Sequence, residues 1–392
     1  MAKIAVIDWS FLTHRIWSAL PTKKVPWTRP TEAEEGIHRI CEWVYALYTE
    51  HAWDRLIIAM DTPGYWRHEF LSDWHIKIPR YTLDGKFYTH YNACAWLIEK
   101  KQDEETKLWG ATLTKLDAKE EKRVMKSWTL LETWPEDMPE PSWPKYKGNR
   151  HKEDSWACET DLKTFYDIRS RLAERIALLV KGKVVGYKGA EADDIAAVVA
   201  TMGKHDVLLL SGDADWAQLV AKFTNVTLHN LYNNERVAPE FGTDMLRTQI
   251  LIDFMVKIVG GDTGDNIKGV PYNDNRKRTC IAKKGASDLL KSCTIPEFKE
   301  KVFPLLNRKY LDKNLKMMSL TQQQIPPHIW TGIHEALKAP AKQYSTTWDW
   351  DQLGLTAKER ERVEVSGGAS RIFTQWMSQP KAIAEDLKDE NS

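Results

Sequence analysis

Acidic residues that directly follow short apolar runs are the feature of this chain that most limits its fold. They are Asp8 after Lys3–Ile7, Asp61 after Leu56–Met60, and Asp213 and Asp215 after Asp206–Leu210 and a Ser-Gly pair. The runs are rich in Ile, Val and Leu and do not alternate with polar residues, which is typical of strands buried on both faces of a parallel sheet. Because parallel strands share one carboxyl edge, where ligands bind, these carboxylates are expected to meet there.

Helical patterns separate these runs and predict an α/β fold with a central, mostly parallel sheet flanked by helices. The helical patterns are Thr31–Glu50, Thr160–Val180 and Ala190–Met202, and two further runs predict strands at Lys183–Tyr187 and Asn225–Leu231. After about Asp244 the pattern is helical, most clearly over Arg247–Val259 and Ala286–Lys291. We therefore expect an α/β core over residues 1–245 and a helical region over 246–392 that ends in a frayed acidic tail.

Residues 72–142 interrupt this alternation and are predicted to be an insertion in the core. The segment holds a possible hairpin at Leu83–Lys86, a highly charged stretch from about Ala93 to Leu131, and a Pro-rich end at Trp134–Pro141. The charged stretch predicts a helix with a solvated face, and docking of a partner protein there is an alternative.

Five further acids stand in two short motifs. They are Glu191, Asp193 and Asp194 at the start of a predicted helix, and Asp262 and Asp265 in a Gly-rich run. Taken singly, Glu191 and Asp193 could be helix caps, since the helix dipole favours acids in the first turn. Many carboxylates in one crevice, however, repel each other and persist only with cations. Oxygen ligands favour Mg²⁺, or Mn²⁺, and the number of carboxylates suggests two or more ions. Pairs of such ions serve phosphodiester hydrolysis in known enzymes.

The net charge of +1, from 56 basic and 55 acidic residues, conceals a basic segment beside this run. Between Lys268 and Lys291 there are two acidic residues and seven basic ones: Lys268, Arg276, Lys277, Arg278, Lys283, Lys284 and Lys291. A helix, a Gly-containing turn and cationic flanks can present N–H groups and positive charge to DNA phosphates. We therefore predict duplex binding in the helical region, although a capped surface loop is the alternative for the Gly-rich run alone.

Several classes of protein are excluded or disfavoured by composition. No apolar run approaches the roughly 20 residues that span a bilayer, and the apolar start ends at Asp8, too soon for a signal peptide. The five cysteines form no CxxC pair, so a reducing cytoplasm without structural zinc is expected. The eleven histidines show no HxxxH or HxH spacing, so none is predicted to be a ligand. Most tryptophans are expected in cores, with base stacking by Trp9 or Trp66 as the alternative.

Seven short motifs occur together in one order along residues 4–270. They are Ile7-Asp8, Ala59-Met60-Asp61, Gly64-Tyr65-Trp66-Arg67, Tyr146-Lys147-Gly148-Asn149-Arg150, Glu191-Ala192-Asp193-Asp194, Ser211-Gly212-Asp213-Ala214-Asp215 and Gly261-Asp262-Thr263-Gly264-Asp265-Asn266-Ile267. Each motif is weak alone, but the ordered set is specific. The chain resembles the flap endonuclease / 5′→3′ exonuclease family, especially the phage replication 5′-nucleases, including phage ribonuclease H.

The resemblance implies a role for each matching residue. One metal would be held by Asp8, Asp61, Glu191, Asp193 and Asp213, and a second by Asp194, Asp215, Asp262 and Asp265. Lys147 and Arg150 would contact the scissile phosphate at the base of a helical arch spanning about residues 145–165, and Arg67 is a weaker candidate for a phosphate contact. The implied enzyme is a monomer in the host-cell cytoplasm, acting on DNA with 5′ flaps or nicks and on RNA-primed duplexes.

Two departures from the family pattern change what can be carried over. Residues 72–142 lie where the family has a short connection, and the segment Pro271–Arg278 replaces its regular Gly-x-Gly-x-Lys turn. Two other functions stay open: a ribonuclease that needs no DNA junction, and a non-catalytic scaffold that binds junctions. The basic segment disfavours the first, and the presence of all nine carboxylates disfavours the second.

Overall fold

In the computed structural model the chain divides into two units. The described residues are 2–18, 40–91, 94–147, 169–177, 182–237, 244–273 and 280–340, apart from positions 41, 42, 45, 49, 105, 171, 175, 234 and 292. Unit 1 comprises the described residues within 1–63, 154–247 and 320–392, and unit 2 those within 64–153 and 248–319.

Strands and helices alternate in the first part of the described chain and again after residue 182, the segment between them is strand-rich, and helices alone follow residue 282. The strands are β1 (Lys3–Asp8), β2 (Arg55–Ala59), β3 (Arg80–Leu83), β4 (Lys86–Tyr91), β5 (Cys94–Gln102), β6 (Trp109–Lys115), β7 (Thr129–Leu130), β8 (Lys183–Val185), β9 (Asp206–Ser211), β10 (Val226–Asn230), β11 (Glu235–Val237), β12 (Gly261–Asp262) and β13 (Ile267–Lys268). The α-helices are α1 (Trp9–Ser18), α2 (Trp66–Ile76), α3 (Ala118–Val124), α4 (Ala192–Thr201), α5 (Ala217–Lys222), α6 (Asp244–Gly260), α7 (Lys283–Lys291), α8 (Ile295–Val302), α9 (Arg308–Met318) and α10 (Pro327–Lys338). Further helical residues lie between 40 and 51 and between 169 and 177.

Unit 1 is built on a six-stranded sheet in the order β11-β10-β9-β1-β2-β8. Every neighbouring pair is parallel except β10 with β11. In the middle of the sheet Ile7 pairs with Ile58 on one side and with Leu210 on the other, and all three side chains are buried. The predicted α/β fold with a central, mostly parallel sheet is therefore confirmed, and the five predicted strands are present with ends shifted by up to two residues.

Unit 2 contains a second sheet, which corrects one prediction. Its five strands are antiparallel, in the order β6-β5-β4-β3-β7. The predicted hairpin is present, with Asp84 and Gly85 at positive φ in the turn between β3 and β4. The predicted helix from Ala93 to Leu131 is wrong over β5 and β6, and α3 is its main helical part. Lys and Glu favour helix locally, but cross-strand pairing and burial of Ala95 and Ile98 outweigh that preference.

The described part of the helical region contains α6 to α10, with one exception to the predicted pattern. The antiparallel pair β12 and β13 follows α6 directly. In unit 1, α10 packs against α4 and β8, and Gly332 of α10 lies on the Tyr187 ring, which a Cβ would approach to 2.1 Å. The predicted acidic tail and most of the predicted arch lie outside the described residues. No described helix has both the length and the apolar character needed to cross a membrane.

Candidate functional site

Three adjacent parallel strands carry acids at the carboxyl edge of the unit 1 sheet. Asp8 is the last residue of β1, while Asp61 and Asp213 each lie two residues beyond the ends of β2 and β9. Because β1 pairs with both other strands in parallel, the three acids leave the sheet at the same edge. This placement agrees with the prediction made from the strand pattern.

Asp8 is the most deeply buried acid of the three strand ends, at 7% exposure. Its carboxylate accepts hydrogen bonds of 2.9 Å from the Phe11 N–H and of 2.9 Å from the Ser211 hydroxyl. Burial, followed by the negative charges of Asp61 and Asp213, raises the pKa of Asp8 to about 7, against the opposing effect of the two hydrogen bonds. Among the described residues, the groups acting on Asp8 include no Lys or Arg.

The first turn of α4 brings three more acids to this edge. Glu191 is the N-cap residue: its side chain accepts from the Asp194 N–H, and Asp194 Oδ2 accepts from the Glu191 N–H at 3.0 Å. The Ala192 N–H donates to Asp61 Oδ1 at 2.8 Å, so the helix start is tied to the end of β2. The capping role considered for this motif is therefore real. It is compatible with metal binding, because a carboxylate offers about four lone-pair positions on its two oxygens.

A serine and a glycine set the position of Asp213. The Ser211 hydroxyl donates to Asp8 and accepts from the Asp213 N–H at 3.0 Å, so it joins the ends of β1 and β9. A Cβ on Gly212 would lie 1.9 Å from the Phe11 ring, which explains why this turn requires glycine. Asp213 in turn caps the following turn by accepting from the Asp215 N–H at 2.9 Å. Sequence reasoning did not single out Ser211 or Phe11.

A buried tryptophan also connects two elements at this edge of the sheet. The Trp216 indole N–H donates to Asp193 Oδ1 at 2.7 Å and so links the turn after β9 to α4.

Trp9 is fully buried, and its indole N–H donates to the Arg169 carbonyl. Trp66 is 4% exposed. Because both Trp9 and Trp66 are core residues, neither ring is presented for base stacking.

Seven of the predicted ligands belong to unit 1, and we call them the acidic row: Asp8, Asp61, Glu191, Asp193, Asp194, Asp213 and Asp215. The acidic row contains no tight group of three acids. Among the described residues, no three of them bring one oxygen each within 4.8 Å of one another. Mutual repulsion of carboxylates favours this spacing. The donor set is entirely oxygen and includes a buried carboxyl with a raised pKa, and both features suit a hard divalent cation.

In unit 2, the two acids of the Gly-rich run have partners within their own unit. Asp262 is 8% exposed, and its carboxylate lies 2.6 Å from the Lys257 ammonium and 4.0 Å from that of Lys283. Burial opposes ionisation of Asp262, but the charge and hydrogen bond of Lys257, with the charge of Lys283, hold its pKa below the usual value. Gly261 makes the close turn possible, with φ at +81° and a Cβ position 2.5 Å from the Gly269 nitrogen.

The turn that carries Lys147 is attached to this run by three hydrogen bonds. The Lys147 N–H donates to the Asp265 carbonyl at 3.0 Å, the Tyr146 hydroxyl donates to Asp265 Oδ2 at 3.3 Å, and the Asn266 amide donates to the Lys145 carbonyl at 2.9 Å. Lys147 has a positive φ of 53°, and its ammonium lies 4.9 Å from the centre of the Tyr146 ring. The sequence thus places Lys147 and Asp265 in separate motifs, but the fold joins them.

Other predicted residues have mixed outcomes. Arg67 is 2% exposed, its Nε donates to the Met317 carbonyl at 2.9 Å, and its guanidinium lies over the Trp66 ring. These contacts give Arg67 a packing role, and its phosphate contact stays a prediction. Lys268, Lys283 and Lys284 are exposed. Arg150, Arg276, Lys277 and Arg278 lie outside the described residues.

A family of known proteins matches part of this chain. Residues 79–242 match the family described as 5′-3′ exonuclease, N-terminal resolvase-like domain. The match covers about two-fifths of the chain, so this part of the chain resembles the N-terminal domain of 5′-3′ exonucleases. The predicted family and the predicted class of enzyme, a nuclease, are therefore confirmed.

Solved structures give distant matches. A 5′-exonuclease of bacteriophage T5 with bound zinc ions is 15% identical, with a TM-score of 0.45, over 86% of this chain and 98% of the other. A bacteriophage T5 flap endonuclease in a pseudo-enzyme–product complex with DNA and metal ions is also 15% identical, with a TM-score of 0.45, over 86% of this chain and 100% of the other. These similarities are too low to assign roles to single residues.

Proposed function

We propose that this 5′-nuclease hydrolyses phosphodiesters at 5′ ends or flaps of DNA and RNA–DNA. The observation that carries the proposal is the row of acids at the carboxyl edge of the unit 1 sheet. There Asp8 is buried beside Asp61 and Asp213 with no compensating Lys or Arg among the described residues. Such an arrangement is stable in its ionised form only with an added cation.

The donor set supports Mg²⁺ as the cofactor, with Mn²⁺ as a substitute. Asp8, Asp61, Glu191, Asp193 and Asp213 would hold one ion, and Asp194, Asp215, Asp262 and Asp265 a second, some of them through water. When bound, such ions lower the pKa of a water molecule and stabilise negative charge on the phosphate oxygens. Asp262 and Asp265 belong to unit 2, and the other seven acids belong to unit 1.

The chain's own residues orient the substrate. Lys147 would contact the scissile phosphate, and its backbone hydrogen bond to Asp265 supports this because it keeps the lysine turn beside an acidic motif. Arg150 would add a second positive charge. Fixed cations near the phosphate stabilise the charge that develops there in the transition state.

Duplex binding would come from the basic segment of the helical region. The exposed side chains of Lys268, Lys283 and Lys284 support this role, and Arg276, Lys277 and Arg278 would extend the surface. Neutralising phosphates releases counterions, so affinity should fall steeply with salt. The proposed task is removal of RNA primers or flaps. The enzyme would act as a monomer in the cytoplasm, and residues 72–142 would contact replication proteins. In this proposal the nuclease core ends, and the duplex-binding region begins, at about residue 245.

Product mapping on labelled substrates tests the proposal. With Mg²⁺, the full chain should release short products from the 5′ side of flapped, nicked and RNA-primed duplexes, and EDTA should stop the reaction. Binding of flaps without cleavage in either Mg²⁺ or Mn²⁺ would favour the junction-binding scaffold. Equal cleavage of single-stranded RNA with no junction would favour the ribonuclease.

A further inference from the structure

A second cluster of metal-ligating side chains lies in unit 1 and contains none of the nine acids. Glu50, His51 and His229 bring one ligand atom each within 4.8 Å of one another. His51 and His229 are 6% and 2% exposed, whereas the Glu50 side chain is 57% exposed. The two histidines are 178 positions apart in the sequence, so spacing motifs could not identify them.

The three ligand atoms fit a small cation. His51 Nε2 lies 2.7 Å from His229 Nδ1, and Glu50 Oε1 lies 3.5 Å from the first nitrogen and 3.9 Å from the second. A circle through the corners of that triangle has a radius of about 2.0 Å, so one point is about 2.0 Å from all three atoms. This matches the 2.0–2.2 Å of zinc–imidazole and zinc–carboxylate bonds.

The two imidazoles share a hydrogen bond whose proton a cation can replace. Their centroids are 4.9 Å apart at an interplanar angle of 84°, so each nitrogen points at the other. One nitrogen must therefore carry a proton and the other a lone pair. A tautomer change that moves this proton to the other nitrogen of the same ring, and a turn of both rings toward Glu50, would direct two lone pairs at the common point.

The backbone around the cluster is well held. His229 lies on β10, paired with Leu210 of β9 inside the central sheet. The Lys3 ammonium donates to the His51 carbonyl at 2.8 Å, which fixes the chain just before β2. Sites supported by strands keep their ligands in place better than sites on loops.

We propose that Glu50, His51 and His229 bind one divalent first-row transition metal, with Zn²⁺ as the probe. Imidazole nitrogens prefer such metals to Mg²⁺, so this site is chemically different from the all-oxygen row. Once the rings have turned, the ion would lie out of the plane of the three ligand atoms, and the fourth tetrahedral position is then left to water. The bound ion would join residues 51 and 229 and stabilise unit 1 by closing a long loop. The site is independent of the proposed substrate and of the nuclease reaction.

Zinc binding by the full chain, measured by equilibrium dialysis in excess Mg²⁺, tests the proposal. His51→Gln and His229→Gln should each weaken zinc binding at this cluster by at least about 100-fold. Each variant should therefore bind one ion fewer than the wild type, whatever number of ions the carboxylates bind. Glu50→Gln, at an exposed side chain, should weaken binding by about 10-fold and leave the fold intact. His328→Gln, at an exposed histidine of α10, is the matched control and should bind as the wild type.

Two further measurements separate binding at this cluster from other effects. Zinc should raise the melting temperature of the wild type and of His328→Gln, but not that of the two cluster histidine variants, and the wild-type Co²⁺ complex should show the visible absorption of tetrahedral cobalt. Circular dichroism identifies any histidine variant that fails to fold, in which case Glu50→Gln decides. Equal zinc stoichiometry and affinity in the wild type and in Glu50→Gln, or in folded histidine variants, would overturn the proposal, as would no zinc uptake by the wild type.

Discussion

Asp8 in unit 1 and Asp262 in unit 2 are buried to the same degree, 7% and 8% exposed, but the charges around them have opposite sign. Asp8 lies beside Asp61 and Asp213, and its pKa is raised to about 7. Asp262 lies beside Lys257 and Lys283, and its pKa is lowered. Burial disfavours the ionised form in both cases, so the neighbouring charges decide the difference.

The comparison indicates two ways of stabilising a buried carboxylate. Unit 2 supplies the compensating charge for Asp262 from its own chain, through Lys257 and Lys283. Unit 1 places acid beside acid and relies on a cation from solution. The acids of unit 1 repel one another, so binding of a cation is expected to stabilise this unit and to be needed for its function, because the cation neutralises their charges.

The largest expected effect comes from removing one charge of the acidic row. Asp213→Asn keeps the shape of the side chain but should lower cleavage by about 1000-fold or more, since an amide is a poorer ligand for a hard cation. DNA affinity should be retained because the basic surface is unchanged. Single-turnover cleavage and DNA binding on a flap substrate measure the two separately.

Asp206→Asn is the control, because Asp206 is an exposed acid at the opposite end of the same strand, β9. It should cleave at the wild-type rate. A parallel loss of binding and cleavage in Asp213→Asn would contradict the assigned role.

The next effect concerns the cation that unit 2 presents. Lys147→Ala should reduce the single-turnover rate by about 100-fold with little change in affinity, because a fixed charge acts mainly on the transition state. Lys145→Ala, two residues away at an exposed position, should change neither quantity. If Lys147→Ala weakens binding as much as turnover, Lys147 is only part of the duplex surface.

A third prediction breaks the internal compensation in unit 2. Lys257→Met keeps the aliphatic stem but leaves Asp262 buried without its closest cation, which should cost about 2 kcal/mol of unfolding free energy. Urea unfolding followed by circular dichroism measures the loss. Lys299→Met, at an exposed lysine of α8, should cost less than about 0.5 kcal/mol. In an Asp262→Asn background the cost of Lys257→Met should shrink, and an unchanged cost would show that the ion pair is not its cause.

The last prediction is a pH dependence of opposite sign in the two units, measured with EDTA present. A raised pKa means that folded Asp8 binds its proton more tightly than unfolded Asp8, so its contribution to stability falls as pH rises from about 4 to 7, by at most about 1.4 kcal/mol per pH unit. Asp262 contributes stability above its unfolded pKa of 3.8, and this is lost only as pH falls through its lowered value.

The difference between wild type and Asp8→Asn isolates the contribution of Asp8. It is needed because burial, with the charge of Lys313, lowers the pKa of His75 to about 3, so the stability that neutral His75 provides is lost as pH falls below about 6.5. The wild-type stability minus that of Asp8→Asn should fall between pH 4 and 7, and the wild-type stability minus that of Asp262→Asn should show no such fall. Urea unfolding at several pH values tests both expectations.

Local pattern was enough to predict five of the six strands of the unit 1 sheet and the helix α4, but not β11, α1 or α5. Short apolar runs, such as that of β1, can only be buried on both faces, and an acid directly after such a run must leave the sheet at its carboxyl edge. The start of α4 was also readable, because Glu191 and Asp194 stand at capping positions. Periodicity failed for β5 and β6, whose stability comes from cross-strand pairs such as Trp96 with Lys115.

The amino-acid order alone therefore defined which residues stand at the strand ends and which chemistry their side chains can perform. It did not define the charge that each of them meets. Lys257 reaches Asp262 only through the tight glycine turn at Gly261, Ser211 joins Asp8 to Asp213 only once β1 and β9 are paired, and His51 meets His229 only across the folded unit. The physical reason is that electrostatic and coordination energies depend on distances of a few ångströms between residues that are remote along the chain, and folding alone sets those distances.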